Sequence, residues 1–110
     1  MEEKLRKLNY ELDALTKSMA DEVLFIEVVE DFVKEYEDRI SALKSLEYSI
    51  IYKGFDKKSF KDAVRSDGTL GFVAREVDEE MRTRSSEIVQ RRFAVLSQIC
   101  ELEKKMRRNG

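Results

Sequence analysis

Histidine is absent from this 110-residue chain, as is proline; there is one cysteine, Cys100, and only four glycines. Without histidine there are no Ser-His or Cys-His nucleophilic pairs, no Glu-x-x-His di-iron motif and no zinc site using imidazole. One cysteine can build neither an internal disulfide nor a zinc or iron–sulfur site within a chain, and it points to reducing conditions. No glycine-rich loop has the spacing that cradles phosphate. No apolar run approaches the roughly 20 residues a membrane span requires. The opening MEEKLRKLNY is charged and lacks an apolar signal core. The expectation is a cytoplasmic protein, or one of a host-cell interior, with no membrane contact and no cofactor or metal.

Proline and glycine are also the strong helix breakers. With glycine only at Gly54, Gly68, Gly71 and Gly110, breakers are confined to one window, 54–71, and the last residue. Charged residues make up 40% of the chain, against roughly 25% in an ordinary domain. Ala, Glu, Lys, Leu and Arg together account for nearly half of it, a composition of long helices and coiled coils. Net charge is only −2, so global charge argues for neither nucleic acid nor a membrane surface.

From Leu5 to Ile50 a seven-residue repeat runs without a skip. One set is Leu5, Leu12, Met19, Ile26, Val33, Ile40 and Glu47; the other is Leu8, Leu15, Glu22, Val29, Tyr36, Leu43 and Ile50. Their 3-4 spacing lies on one seam of a helix and favours a left-handed supercoil. A helix over 2–52 would be roughly 75 Å long, too long for an isolated compact domain of this size. Val23, Leu24, Phe25, Val28 and Phe32 add apolar residues beside the seam, and so wide a stripe needs more than one neighbouring helix. The segment 19–36 is therefore expected in the core of a three- or four-helix bundle.

The connector, 54–71, offers two readings. Asp56 or Ser59 can cap a short helix carrying Phe60, Ala63 and Val64, with a turn at Ser66–Thr69. The rival pairs 63–66 with 69–73 as a β-hairpin around Asp67-Gly68, giving a helix–β-hairpin–helix layout. The short helix is preferred, with Phe60 closing the bundle end. A second long helix follows over 72–108, with a seam through Met81, Ile88, Val95 and Leu102. Val89, Phe93, Leu96 and Cys100 widen its apolar face, and on that face the thiol is expected to be buried and inert. The fold expected is all-α: one helical domain, a long-helix hairpin joined by a short helix, assembling into a bundle.

Charge is segregated along the chain. Residues 21–38 are acidic, with Lys34 their one lysine, whereas 81–110 are rich in Arg and Lys. The simpler reading lays the basic helix along the acidic one; the other is a basic strip for nucleic acid or an acidic partner, through Arg91, Lys104, Lys105, Arg107 and Arg108. Glu27, Glu30 and Asp31 are a conceivable carboxylate metal set, but such spacing is ordinary on a solvated helix face. Glu22 and Arg92 interrupt apolar faces, and since buried charge is costly unless paired, each is expected to meet an opposite charge.

A hairpin turning near residue 64 would place residue 107 against 21 and leave 1–20 without an intramolecular neighbour. Leu5, Leu8, Leu12, Leu15 and Met19 would then form an exposed stripe, which with Phe25 and Phe32 is the expected protein interface. The alternative is a break near Lys17–Asp21, with the first segment folding back as a separate helix. The sequence thus points to a homodimer or higher homo-oligomer, without catalysis, acting as scaffold, adaptor or inhibitor by protein–protein contact. A nucleic-acid-associated helical protein and a small helical enzyme are the alternatives.

Overall fold

The structure, a computed structural model, describes residues 1–52 and 54–109; Lys53, at the end of the expected first helix, and Gly110 lie outside the described residues. The elements are α1 (Glu2–Ser18), α2 (Asp21–Glu35), a 3-10 turn (Glu37–Arg39), α3 (Ile40–Ile51), α4 (Lys57–Arg65) and α5 (Gly68–Asn109). The fold is all-α. The β-hairpin alternative is excluded, because 57–65 is helix and α5 already begins at Gly68.

The unbroken helix expected over 2–52 is instead three helices and a 3-10 turn. The first break, at 19–20, is the one anticipated near Lys17–Asp21. There Met19 and Ala20 donate to the carbonyls of Thr16 and Lys17 at 3.3 and 3.2 Å, tightening the last turn of α1. Ser18 does not cap the next helix; its Oγ bonds back to the Ala14 carbonyl at 2.9 Å. The second break follows Tyr36, whose backbone is extended at φ −116°, ψ 90°. Neither break contains glycine or proline, so the gain comes from packing. A straight helix of about 75 Å leaves most of its apolar side chains without neighbours. Broken, it becomes elements whose wide faces cover one another.

The chain divides into two compact units: Asp21–Arg84, and Met1–Ala20 together with Ser85–Gly110. In the first, the core consists of Leu24, Phe25, Val28 and Val29 of α2, Leu43, Leu46 and Ile50 of α3, Phe60 of α4, and Val73, Ala74, Val77 and Met81 of α5. The α2 face is largely the set that flanks the heptad seam. Once α2 is free of α1, it turns its widest apolar stripe inward and leaves Ile26 and Val33 half-buried. Phe25 anchors this core, with its ring 5.3 Å from Phe60 edge-on and 5.5 Å from Phe55. Phe60 is thus buried in this core.

Local chemistry fixes the ends of α4. Asp56 caps it, accepting from the Lys58 and Ser59 amides at 3.0 and 3.4 Å and from Ser59 Oγ at 2.8 Å. These bonds, led by the Ser59 hydroxyl, hold the Asp56 carboxyl below its ordinary value. After α4 the chain turns through Ser66 into Gly68, at φ +86°, a conformation glycine adopts without strain. Arg75 Nη1 donates to the carbonyls of Val64 and Ser66 at 3.0 and 3.1 Å, tying the end of α4 to α5.

The second unit is simpler: α1 against the segment of α5 from Ser85. Leu8, Val95, Ile99 and Leu102 form its buried centre, with Leu5, Leu12, Leu15 and Met106 packed around them. Arg92 Nη1 lies 3.6 Å from Met19 Sδ at the other end. Leu8, eleven residues before Met19, shares a cluster with Ile99 and Leu102, residues beyond Arg92. The two helices are therefore antiparallel.

Candidate interaction surfaces

That antiparallel pairing changes the reading of the N-terminal stripe. Leu8 is buried, and Leu5, Leu12, Leu15 and Met19 are half-buried. They are seated on α5 rather than left as an overhang. The overhang presumed an unbroken first helix turning near residue 64, and the breaks at 19–20 and 36–39 remove that premise. Phe25 is wholly buried in the Asp21–Arg84 core, so its ring is not free to meet a partner. Phe32 is half-buried, edge-on to Tyr36 at 5.3 Å.

The side chains left without cover lie elsewhere. On α5, Phe93 is 67% exposed and Leu96 37% exposed, Cys100 is exposed and Val89 is half-buried. The expectation of a buried thiol is thus corrected. The face toward α1 is set by Val95, Ile99 and Leu102, and Cys100 lies well round the helix from it. Val89, Phe93, Leu96 and Cys100 stand at i, i+4, i+7 and i+11, which makes one continuous stripe. Ser86, Gln90 and Ser97 border it. The charged residues between Ser85 and Cys100 are Glu87, Arg91 and Arg92, and at 100° per residue all three fall outside this face. In a chain 40% charged, about three turns of uncharged, largely exposed helix surface are a departure. Interface centres are depleted of charge in the same way.

A second apolar surface lies in the Asp21–Arg84 unit. Ile26 of α2, Tyr48 and Ile51 of α3, and Tyr52 just after α3 line a shallow groove, with Glu30, Lys44 and Glu47 around it. Tyr48 and Tyr52 are about two-thirds exposed, with rings 5.3 Å apart. Both tyrosines lie outside the interface residues expected from the sequence. The heptad frame directs attention to Ile50 and Leu43, which are core, and away from the opposite side of the same helix.

Some of the charged groups are occupied with one another. Arg84 bonds Asp31 at 2.9 Å and Glu80 at 3.1 Å. Burial disfavours its charge, but the bonds to Glu80 and Asp31 outweigh this and raise its pKa above the ordinary value. This is one place where the basic helix does lie along the acidic segment. It also engages Asp31, one of the three conceivable metal carboxylates. Arg39 pairs with Glu76 while its guanidinium stacks 4.8 Å from the Tyr36 ring and 5.3 Å from that of Phe72. Glu22 is exposed. Arg92 does not meet the opposite charge expected for it. Among the described residues its buried Nε has no hydrogen-bond partner, and Nη1 has only the Met19 sulfur.

Of the basic candidates, Arg91, Lys104, Lys105, Arg107 and Arg108 are all exposed on α5. Arg107 reaches Glu103 at 3.9 Å. Glu101 and Glu103 interrupt the run, so the basic surface is short and mixed.

No family model matches the chain, and neither a curated protein nor a solved structure is significantly similar to it.

Proposed function

We propose that this protein is a protein–protein interaction module, a scaffold, adaptor or inhibitor, that works by helix-on-helix contact and not by catalysis. The observation that carries this reading is the uncharged stripe Val89, Phe93, Leu96 and Cys100. A water-facing Phe and Leu on a helix otherwise rich in charge forgo burial worth about 1.5–3 kcal/mol for each side chain fully covered. Self-association into a homodimer is the simplest way to cover them, in keeping with the narrow, two-helix core beneath. A cytoplasmic or host-cell setting, where thiols are kept reduced, fits the single exposed cysteine.

The nucleic-acid reading has less support, because Glu101 and Glu103 sit among the bases that would track a phosphate backbone. A small helical enzyme needs polar groups converging in an enclosed pocket, whereas the tyrosine groove is shallow, with its charges around the rim.

The test is the molar mass in solution of the native chain and of a Phe93→Glu/Leu96→Glu variant, across concentration. The native chain should exceed its 12.9 kDa as concentration rises, and the variant should remain monomeric with an unchanged helical circular dichroism spectrum. A native chain that stays monomeric, and whose binding to any partner the two substitutions leave intact, would refute the reading.

A further inference from the structure

Among the described residues, Arg92 Nε is the buried side-chain polar atom left without a hydrogen-bond partner. Its place on α5 accounts for this. Arg92, Val95, Ile99 and Leu102 follow at i, i+3, i+7 and i+10, so Arg92 lies on the face that meets α1. The guanidinium ends at the last turn of α1, where Nη1 donates to Met19 Sδ at 3.6 Å. A thioether is a weak acceptor, whereas a guanidinium stays charged and bonds most strongly to oxygen.

Met19 is fixed from its own side. It caps the C-terminus of α1 with its backbone still helical, at φ −78° and ψ −11°, and its amide donates to the Thr16 carbonyl at 3.3 Å. The chain has four methionines. Met1 is 58% exposed and Met81 is buried in the Asp21–Arg84 core. Met106 packs on the apolar cluster of Leu8, Val95, Ile99 and Leu102. Met19 is half-buried, and among the described residues it alone has a donor at its sulfur.

We propose that Met19 is an oxidation site whose sulfoxide is held by Arg92. The oxidant is a hydroperoxide. The sulfur lone pair takes one peroxide oxygen, the O–O bond breaks, and water or an alcohol leaves; sulfur is oxidised by two electrons and the peroxide reduced by two. Such oxidation ordinarily disrupts an apolar contact, because it turns a flexible apolar side chain into a polar one. At Met19 the new oxygen meets a donor already in place, and a strong acceptor replaces a weak one beside a charged group. Oxidation therefore fastens α1 to α5 where it would otherwise loosen it. Methionine sulfoxide is reduced again by enzymes specific for each epimer, so the mark is reversible. It acts within one chain and does not depend on what covers the stripe on α5.

The experiment uses the full chain carrying Cys100→Ser, Met81→Leu and Met106→Leu, the two leucines being close to methionine in volume. Met1 and Met19 remain, with Met1 as the internal standard. This chain, with Arg92 and with Arg92→Leu, is treated with hydrogen peroxide and followed by peptide mass spectrometry and denaturant unfolding. Met19 should be oxidised in the folded chain. With Arg92 in place, its oxidation should leave the unfolding constant level or lower it. With Arg92→Leu the sulfoxide oxygen has no partner, and the unfolding constant should rise about tenfold. Any change in a Met19→Leu chain treated alike belongs to Met1 and is subtracted. An equal rise with and without Arg92 overturns the proposal, as does a Met19 that stays reduced after Met1 is fully oxidised. If Arg92→Leu folds poorly, nuclear magnetic resonance on the chain with Arg92 decides. Its guanidinium N–H signals should shift and exchange more slowly with water after oxidation, and unchanged signals overturn the proposal.

Discussion

Gly71 shows how a single methyl group decides a turn. A Cβ there would lie 1.9 Å from the Ser66 backbone oxygen and 2.7 Å from its carbon. That carbonyl cannot easily retreat, since it accepts from Arg75. Gly71→Ala should therefore destabilise the chain by about 1–3 kcal/mol or more, as overpacking does, and chemical denaturation would register the loss as an earlier midpoint. An unchanged midpoint would mean that Ser66 moves freely. Arg92 makes the opposite case. Its Nε is buried without a partner among the described residues, and an unsatisfied buried donor costs about 1–3 kcal/mol. Arg92→Met keeps the stem and removes the stranded donor beside Met19, so thermal unfolding should move upward or stay level. A marked fall would show that the guanidinium has a counterpart outside the single chain, the second copy being the first place to seek it.

At the scale of helices, what the sequence discloses depends on whether a signal is local. The α4 cap was legible because Asp56 precedes Lys58 and Ser59, and an N-cap needs only neighbours. Gly54 and Gly68 marked the two turns that do require positive φ, at +102° and +86°. The breaks at 19–20 and 36–39 left no comparable mark beyond Ser18 and Asp21, neither of which caps as a breaker would. They follow from long-range burial of Leu24, Phe25 and Val28, which a seven-residue repeat cannot rank against Ile26 and Val33. The same argument assigns α1 its role. It covers Val95, Ile99 and Leu102, each worth about 1.5–3 kcal/mol when buried. Deleting residues 1–18 should therefore lower amide hydrogen-exchange protection across 85–109, while protection across 21–84 persists. Protection of 85–109 at its native level would mean that α1 is not what holds this part of α5.

For the whole molecule, the choice is between an apolar surface and a basic one, and only the second depends strongly on salt. Both were visible in the sequence as residue types: Val89, Phe93, Leu96 and Cys100 as a widened face, and Arg91 with the terminal bases as a strip. Only the fold ranks them, because α1 takes the Val95 face and leaves the Phe93 face bare. The apolar stripe has no charge along its length, so ionic screening has little to act on, and the monomer–dimer constant should change less than about twofold between roughly 50 and 500 mM salt. If duplex DNA bound through Arg91, Lys104, Lys105 and Arg108, each neutralising one phosphate, a tenfold rise in salt would cost about three to four orders of magnitude in affinity. Glu101 and Glu103, lying among those bases, reduce the starting affinity further. Analytical ultracentrifugation and DNA titration over the same salt series should therefore give a nearly level line for self-association and no measurable duplex binding near 150 mM salt. A self-association constant that collapsed with salt would place the contact on charged residues and away from the stripe, and tight, steeply salt-dependent duplex binding would move the function to the basic end of α5.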